Sequence, residues 1–211
     1  MVALRALPAL LAGLCVFVAS TAWAQSPSKN PAVPTRHHSA GGAALKAPEH
    51  KRPLPALAAA EQALKNATTH QAAAEAFQRA EAQRMGALTP ESALMLDQAS
   101  QLAAKGSMQM AEAILAQALA LQDCTVLRRE RAQLRMALND PMGAREDLRQ
   151  ALAKDPDDVL SWLLLSQLET QLHEGTAAMG ALQEMQRRAP AMELDKDVLK
   201  KFKAENIGQP L

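Results

Sequence analysis

Three histidines near the amino end are of a residue type that binds metals. His37, His38 and His50 carry imidazole nitrogens that bind transition metals. A metal site also needs ligands held in a fixed geometry by surrounding hydrogen bonds. These histidines lie in a stretch rich in Pro, Ser and Gly that contains no cysteine and one carboxylate, Glu49. We therefore predict no metal and no cofactor.

Sulfur-containing side chains suggest redox or copper chemistry. Cys124 has Asp123 beside it, but no histidine lies nearby in the sequence to act as a base, so we interpret it as an inert thiol. An intermolecular disulfide is the alternative. Met108 and Met110 would suit copper, but side chains two residues apart do not share a helix face. Packing in a core or along a groove is the better account of both methionines.

The motifs that support catalysis are missing from the sequence. It contains no Gly-rich phosphate loop, no Gly-x-Ser-x-Gly elbow and no His-Glu-x-x-His helix. Carboxylates are frequent, but pairs such as Glu146 and Asp147 have the spacing of a solvated helix face. We predict that the protein is not an enzyme; a catalytic site of an unrecognised kind is the less favoured alternative.

The composition indicates which elements must position any functional residues. The 211 residues are 48% hydrophobic and 21% charged, enough apolar material for one ordinary domain. Only 2% are aromatic and Tyr is missing, whereas Ala, Leu, Gln, Glu, Arg and Met abound. Because these are good helix formers, the sequence predicts an all-α fold.

The first 24 residues have the pattern of a secretory signal peptide. Arg5 precedes an apolar run over residues 6–19, and Ala22-Trp23-Ala24 forms a small-x-small cleavage site. The alternative, an uncleaved anchor, is disfavoured because a spanning helix needs about 20 apolar residues. Cleavage would remove Cys15, so no internal disulfide could form. We predict a bacterial protein exported to the periplasm, without stable membrane insertion after cleavage.

Residues 25–53 change to a basic, Pro/Ser/His-rich composition without hydrophobic periodicity. They hold five basic residues and one acidic residue, whereas residues 54–211 hold 17 basic and 21 acidic residues. Such a segment buries too little surface to offset its conformational entropy, so we predict a disordered tether. It could be a free leash, or bind the acidic body or an anionic envelope surface. Nucleic acid is a poor partner for an acidic body with few aromatics.

A repeat of small, large and small side chains dominates residues 54–191. Its members stand four and three residues apart, which places them on one helix face. Successive triplets begin 38, 33 and 34 residues apart. The four triplets are Ala73, Phe77, Ala80; Ala111, Leu115, Ala118; Ala144, Leu148, Ala151; and Ala178, Leu182, Met185. Pro156 and Pro190 repeat with the same 34-residue offset.

This pattern resembles the tetratricopeptide repeat (TPR) family, whose 34-residue unit is a helix-turn-helix. The best unit runs from Thr125 to Asp158, where Asn139 matches the turn residue and Pro156 the closing proline. Asn tolerates the left-handed conformation, Asp140 can cap the next helix, and Pro141 suits its first position. The resemblance implies a right-handed superhelix of about four hairpins stacked in series. An irregular Ala-rich helical bundle is the alternative.

The resemblance also assigns a structural ion pair. In the best unit, places usually held by large apolar residues carry Arg128, Arg131 and Arg135. One common variety of TPR-like unit has an arginine there that pairs with an aspartate of the second helix. Arg131 with Asp147 would satisfy that arrangement, and a partly buried arginine without a partner would be strongly unfavourable.

The family resemblance further implies a concave groove lined by first helices, which holds a peptide or helix of a partner. The residues of this sequence that match the family's groove-facing positions are Leu96, Ser100, Arg129, Gln133, Met136, Leu163, Gln167 and Thr170. Mixed apolar and polar side chains suit an amphipathic segment. We therefore predict a non-catalytic interaction module or scaffold that binds another envelope protein. The alternative is an assembly factor or chaperone for an envelope machine, such as a pilus, a secretion system or a cytochrome-maturation system.

Residues 192–211 are predicted to form a capping helix and a tail. Leu194, Val198, Leu199 and Phe202 make one apolar stripe with charged residues around it. A terminal helix of this kind covers the open end of a repeat core and keeps it soluble. His70 and His173, by contrast, are predicted as turn or surface residues of the helical body.

Overall fold

The computed structural model describes residues 55–192 and also residues 200, 202, 204 and 206. The predicted signal peptide, the tether and much of the predicted cap, including Leu194, Val198 and Leu199, lie outside these residues. The described part is helical and contains no strand, which confirms the predicted all-α class. The helices between residues 55 and 192 are α1 (Pro55–Asn66), α2 (His70–Gly86), α3 (Pro90–Ala104), α4 (Met108–Leu121), α5 (Thr125–Ala137), α6 (Pro141–Lys154), α7 (Val159–Gln171) and α8 (Gly175–Arg188).

Side-chain caps define the start of four helices. The hydroxyl oxygens of Thr69 and Thr89 accept hydrogen bonds from backbone N–H groups at the starts of α2 and α3. At the start of α6, the Asp140 carboxylate accepts from the Gly143 N–H at 2.9 Å. At the start of α7, the Asp158 carboxylate accepts from the Leu160 N–H. Each cap satisfies a backbone donor that has no partner within the helix. Pro141 stands at the first position of α6, where its missing N–H costs nothing.

Each of the last three helix pairs turns at a residue with positive φ. Gly106, Asn139 and His173 have φ values of 80°, 60° and 59°. They are 33 and 34 residues apart, and each is followed by the same backbone bond. The N–H of the next residue donates to the carbonyl five residues earlier, at 2.8–2.9 Å. This bond satisfies a carbonyl at the helix end. The left-handed turn predicted at Asn139 is therefore present, and His173 occupies the equivalent place.

The repeated triplets form the core of these pairs. Leu148 and Leu182 are 0% and 3% exposed, and the small residues beside them are buried as well. One apolar cluster joins α3, α4 and α5, and another joins α5, α6 and α7. The pairs α3–α4, α5–α6 and α7–α8 thus stack in series, and the predicted TPR-like helical repeat fold is confirmed.

The first pair, α1–α2, departs from the predicted serial order. Leu64, Ala73 and Ala76 share a core cluster with residues of the last pair, including Leu182 and Met185. The buried apolar face of α2 consists of alanines, and Phe77 of the same helix is half-buried against the shared cluster. Ion pairs described below fix that face against α5 and the α6–α7 loop. The first pair therefore packs across the array onto its last pair.

The described residues near the carboxyl end join the same region. Phe202 is half-buried against the cluster shared by the first and last pairs. Asn206 is buried, and its Nδ2 donates to Thr170 Oγ1 at 3.1 Å and to the Phe202 carbonyl at 2.8 Å. Residues 202 and 206 therefore cover part of the open end of α7–α8.

Candidate functional site

Three of the predicted groove residues line one cavity. It lies between α3 and α5 and has a volume of about 240 Å³. Leu96 and Ser100 come from α3, and Gln133 comes from α5. Leu96 is nearly buried, Ser100 is exposed and Gln133 is half-buried. The first helices of two successive pairs thus meet at an open, partly apolar depression.

Four other predicted groove residues are half-buried and lie along α5 and α7. Met136 packs against the α5–α6–α7 cluster, and Leu163 packs against the cluster shared with the first pair. Thr170 Oγ1 donates to the Ser166 carbonyl at 2.9 Å and accepts from Asn206. Gln167 is half-buried one turn before Thr170. Leu163 and Thr170 therefore contact other parts of the chain itself.

Arg129, the eighth predicted groove residue, is 3% exposed. Its Nη1 lies 2.9 Å from Asp158 Oδ1, and its Nη2 lies 2.7 Å from Glu81 Oε2 on α2. Both terminal nitrogens of the guanidinium are therefore occupied within the chain. In this structure Arg129 joins the first helix pair to the repeats and does not face an open groove.

A second buried arginine reinforces that junction. Arg84 donates to Glu61 at 2.6 Å, to Asp155 at 2.7 Å and to Glu81 at 3.1 Å, and its side chain is 4% exposed. Burial, together with repulsion from Asp155, raises the pKa of Glu61 to about 7 although Arg84 opposes the shift. Sequence reasoning missed this junction because periodicity carries no information on pairs 71 residues apart, such as Arg84 and Asp155.

Asp147 is the centre of a separate ionic cluster between α5 and α6. Its carboxylate is 1% exposed and lies 2.6 Å from Arg131, which gives the pair assigned from the family resemblance. Arg128 and Arg135 also reach it, at 3.2 Å and 2.9 Å. Three arginines around one buried carboxylate offset the cost of its desolvation. Asp147 is therefore a structural residue and not one that binds a partner protein.

Cys124 is a half-buried free thiol, and burial raises its pKa, which disfavours the reactive thiolate. Between residues 55 and 192, and at the four described positions beyond, no group of three His, Cys, Asp or Glu side chains could hold a metal ion. The same part of the chain has no helix with the length and apolarity needed to span a bilayer.

Consecutive antiparallel helix pairs with equivalent turns and a shared core define a helical-repeat protein. The family model described as Tetratricopeptide repeat matches residues 125–168. This match is consistent with the tetratricopeptide resemblance drawn from the residues and covers the unit that fits the repeat best. No curated protein matches the sequence. Repeats of this family commonly mediate protein–protein interaction and typically form non-catalytic modules.

Proposed function

We propose that this protein is a non-catalytic interaction module of the bacterial cell envelope. It binds a peptide or an amphipathic helix of another envelope protein on the surface formed by α3 and α5. The observation that carries the proposal is the cavity lined by Leu96, Ser100 and Gln133, which is open in a region where the repeats present their first helices.

Two features support binding on this surface and not along the whole predicted groove. The first helix pair and Asn206 already contact Arg129, Leu163 and Thr170, so that stretch has partners within the chain. The cavity between α3 and α5 keeps its apolar walls and the amide of Gln133 accessible. A partner helix that enters there would bury apolar surface without displacing another element of the chain.

The test is photocrosslinking in cells from a photoreactive residue at position 133. The matched control carries the same group at position 149, an exposed arginine of α6. We expect a specific protein, identified by mass spectrometry, to be captured from position 133 and not from position 149. Equal capture from both positions, or capture of nothing, would contradict the proposed surface.

The envelope location is a separate part of the proposal and rests on the sequence of residues 1–24. Signal-peptide cleavage after Ala24 would give a mature chain that begins at Gln25. Amino-terminal sequencing of the protein recovered from a periplasmic fraction tests this directly. A full-length chain that begins at Met1 in the cytoplasmic fraction would remove the envelope assignment and leave the interaction surface to be judged by crosslinking.

A further inference from the structure

The cavity between α3 and α5 combines an apolar floor with three polar side chains. Five side chains make the floor: Leu96, Ala99, Ala103, Leu115 and Leu134. Ser100, Glu130 and Gln133 supply the polar groups. Ser100 is already engaged, because its hydroxyl donates to the Leu96 carbonyl at 2.9 Å. Glu130 and Gln133, one helical turn apart on α5, are therefore the groups that can meet a ligand.

Glu130 forms an ion pair with Arg129 but no hydrogen bond to a cation within the described residues. Its nearest cationic atom is Arg129 Nε, 3.8 Å from the carboxylate, beyond hydrogen-bond distance. The terminal nitrogens of that guanidinium bind Asp158 and Glu81 instead. Burial, and repulsion from Glu81 and Asp158, raise the pKa of Glu130 although Arg129 opposes the shift. A half-buried carboxylate in this position is stabilised by any cation that reaches it.

The amide of Gln133 makes no side-chain hydrogen bond within the part of the chain that the structure describes. Its oxygen can accept an N–H from the same cation that binds Glu130. The floor beneath them is methyl and methylene surface. A lysine or arginine side chain matches this combination, because its aliphatic stem buries on apolar surface while its charged head stays hydrogen-bonded.

We propose that this cavity is a binding pocket for one arginine or lysine side chain of the partner segment. The stem lies on the apolar floor of the cavity, and the charged head pairs with Glu130 and Gln133. This inference rests on the proposed function, since it names the chemistry that the interaction surface recognises. Arginine is the stronger ligand because its planar guanidinium can donate two parallel N–H groups to a carboxylate. The acidic balance of residues 54–211 favours approach of a basic segment.

The probe is a fluorescein-labelled, acetylated 16-residue helical peptide of Ala, Leu and Gln with one central arginine. Matched peptides carry Lys, Gln, Leu or Glu at that position. Binding is measured by fluorescence anisotropy on the mature protein. We expect the Arg peptide to bind about tenfold more tightly than the Gln and Leu peptides, and the Glu peptide to bind weakest.

Two protein variants connect any preference to the pocket. Glu130→Gln removes the charge and should abolish the Arg preference, whereas Glu146→Gln, an exposed carboxylate of α6, should leave it unchanged. Ser100→Trp, at an exposed position of the pocket mouth, should block the Arg peptide while far-UV circular dichroism stays that of the wild type.

Each result decides the inference. Equal affinity for all peptides, a preference that survives in Glu130→Gln and Ser100→Trp, or no binding of any peptide would overturn it. A partner captured from position 133 together with equal peptide affinities would leave the proposed function standing and remove the basic-residue pocket alone.

Discussion

Arg84 Nε lies 2.7 Å from Asp155 Oδ2, although the two residues are 71 positions apart in the chain. This contact joins the end of α2 to the loop before α7. Glu61 of α1 binds the same guanidinium at 2.6 Å. The first contact holds the first helix pair against the loop that precedes the last pair, and the second joins α1 to α2 within the first pair. The core cluster shared by the first and last pairs completes a packing order that a linear array of repeats does not have.

Replacement of the buried arginine tests how much the fold depends on this junction. Arg84→Met keeps an apolar stem but leaves Glu61 and Asp155 without their cation, while Glu81 keeps Arg129. We expect the free energy of unfolding to fall by about 3–5 kcal/mol in urea titrations. Arg187→Ala, which breaks an exposed pair with Glu184, should cost only about 0–1 kcal/mol. Similar losses in both variants would contradict a structural role for the junction.

Asp147, the centre of the second ionic cluster, has a neighbouring carboxylate on α6, Glu146, that serves as a matched control. Asp147→Ala leaves three arginines without their shared acceptor, and we expect a loss of about 3 kcal/mol. Glu146→Ala removes an exposed carboxylate whose hydrogen bond within the described residues comes from Gln150 on its own helix. Its expected cost is about 0.5 kcal/mol or less. Thermal unfolding of both variants measures the difference, and equal Tm values would show that the cluster contributes nothing.

The turns and the repeat core could be predicted from sequence because both depend on local physics. Asn139 and Pro141 have backbone preferences that fit their places, Asp140 has a side chain that caps the next helix, and the structure uses all three. The triplet spacing likewise predicted the burial of Leu148 and Leu182, since a four-three spacing marks one helix face.

The packing of the first pair could not be predicted in the same way. Alanines at helical spacing show which face of α2 is buried but not which helix covers it. The contacts that hold the first pair include long-range ion pairs of Glu81 and Arg84. In the sequence, charged residues at these spacings are equally typical of a solvated helix face. The family resemblance likewise predicts Arg129 as a groove residue. In the structure its guanidinium binds Asp158 and Glu81 of the same chain.

Burial of Glu61 predicts a pH dependence of stability. Its pKa is about 7 in the folded protein, against the ordinary 4.5 taken for the unfolded chain. Between these values the folded state binds more protons, so this group's contribution is fully present below pH 4.5 and is lost as the pH rises through 7. Between pH 5 and pH 8 we expect the free energy of unfolding of the wild type to fall by about 1–3 kcal/mol relative to that of Glu61→Gln.

Urea titrations of both proteins at pH 5 and pH 8 measure this difference. Carboxylates with lowered pKa, such as Asp123 and Glu184, stay charged at both pH values and do not contribute to the comparison. A difference between wild type and Glu61→Gln that is the same at pH 5 and pH 8 would show that Glu61 does not titrate in this window.

Two glycines of α8 offer a test of how the carboxyl-terminal residues dock. A Cβ at Gly175 would lie 2.7 Å from the backbone oxygen of Asn206, whereas a Cβ at Gly180 would meet nothing within 4 Å. Gly180→Ala should therefore stabilise the protein by about 0.5–1 kcal/mol, because alanine loses less backbone entropy on folding. Gly175→Ala should destabilise it by about 1–2 kcal/mol, because residue 206 must move away.

That movement breaks the hydrogen bond from Asn206 to Thr170, so hydrogen exchange around residue 206 should accelerate in Gly175→Ala only. If both variants are stabilised and exchange is unchanged, Asn206 does not pack on the start of α8.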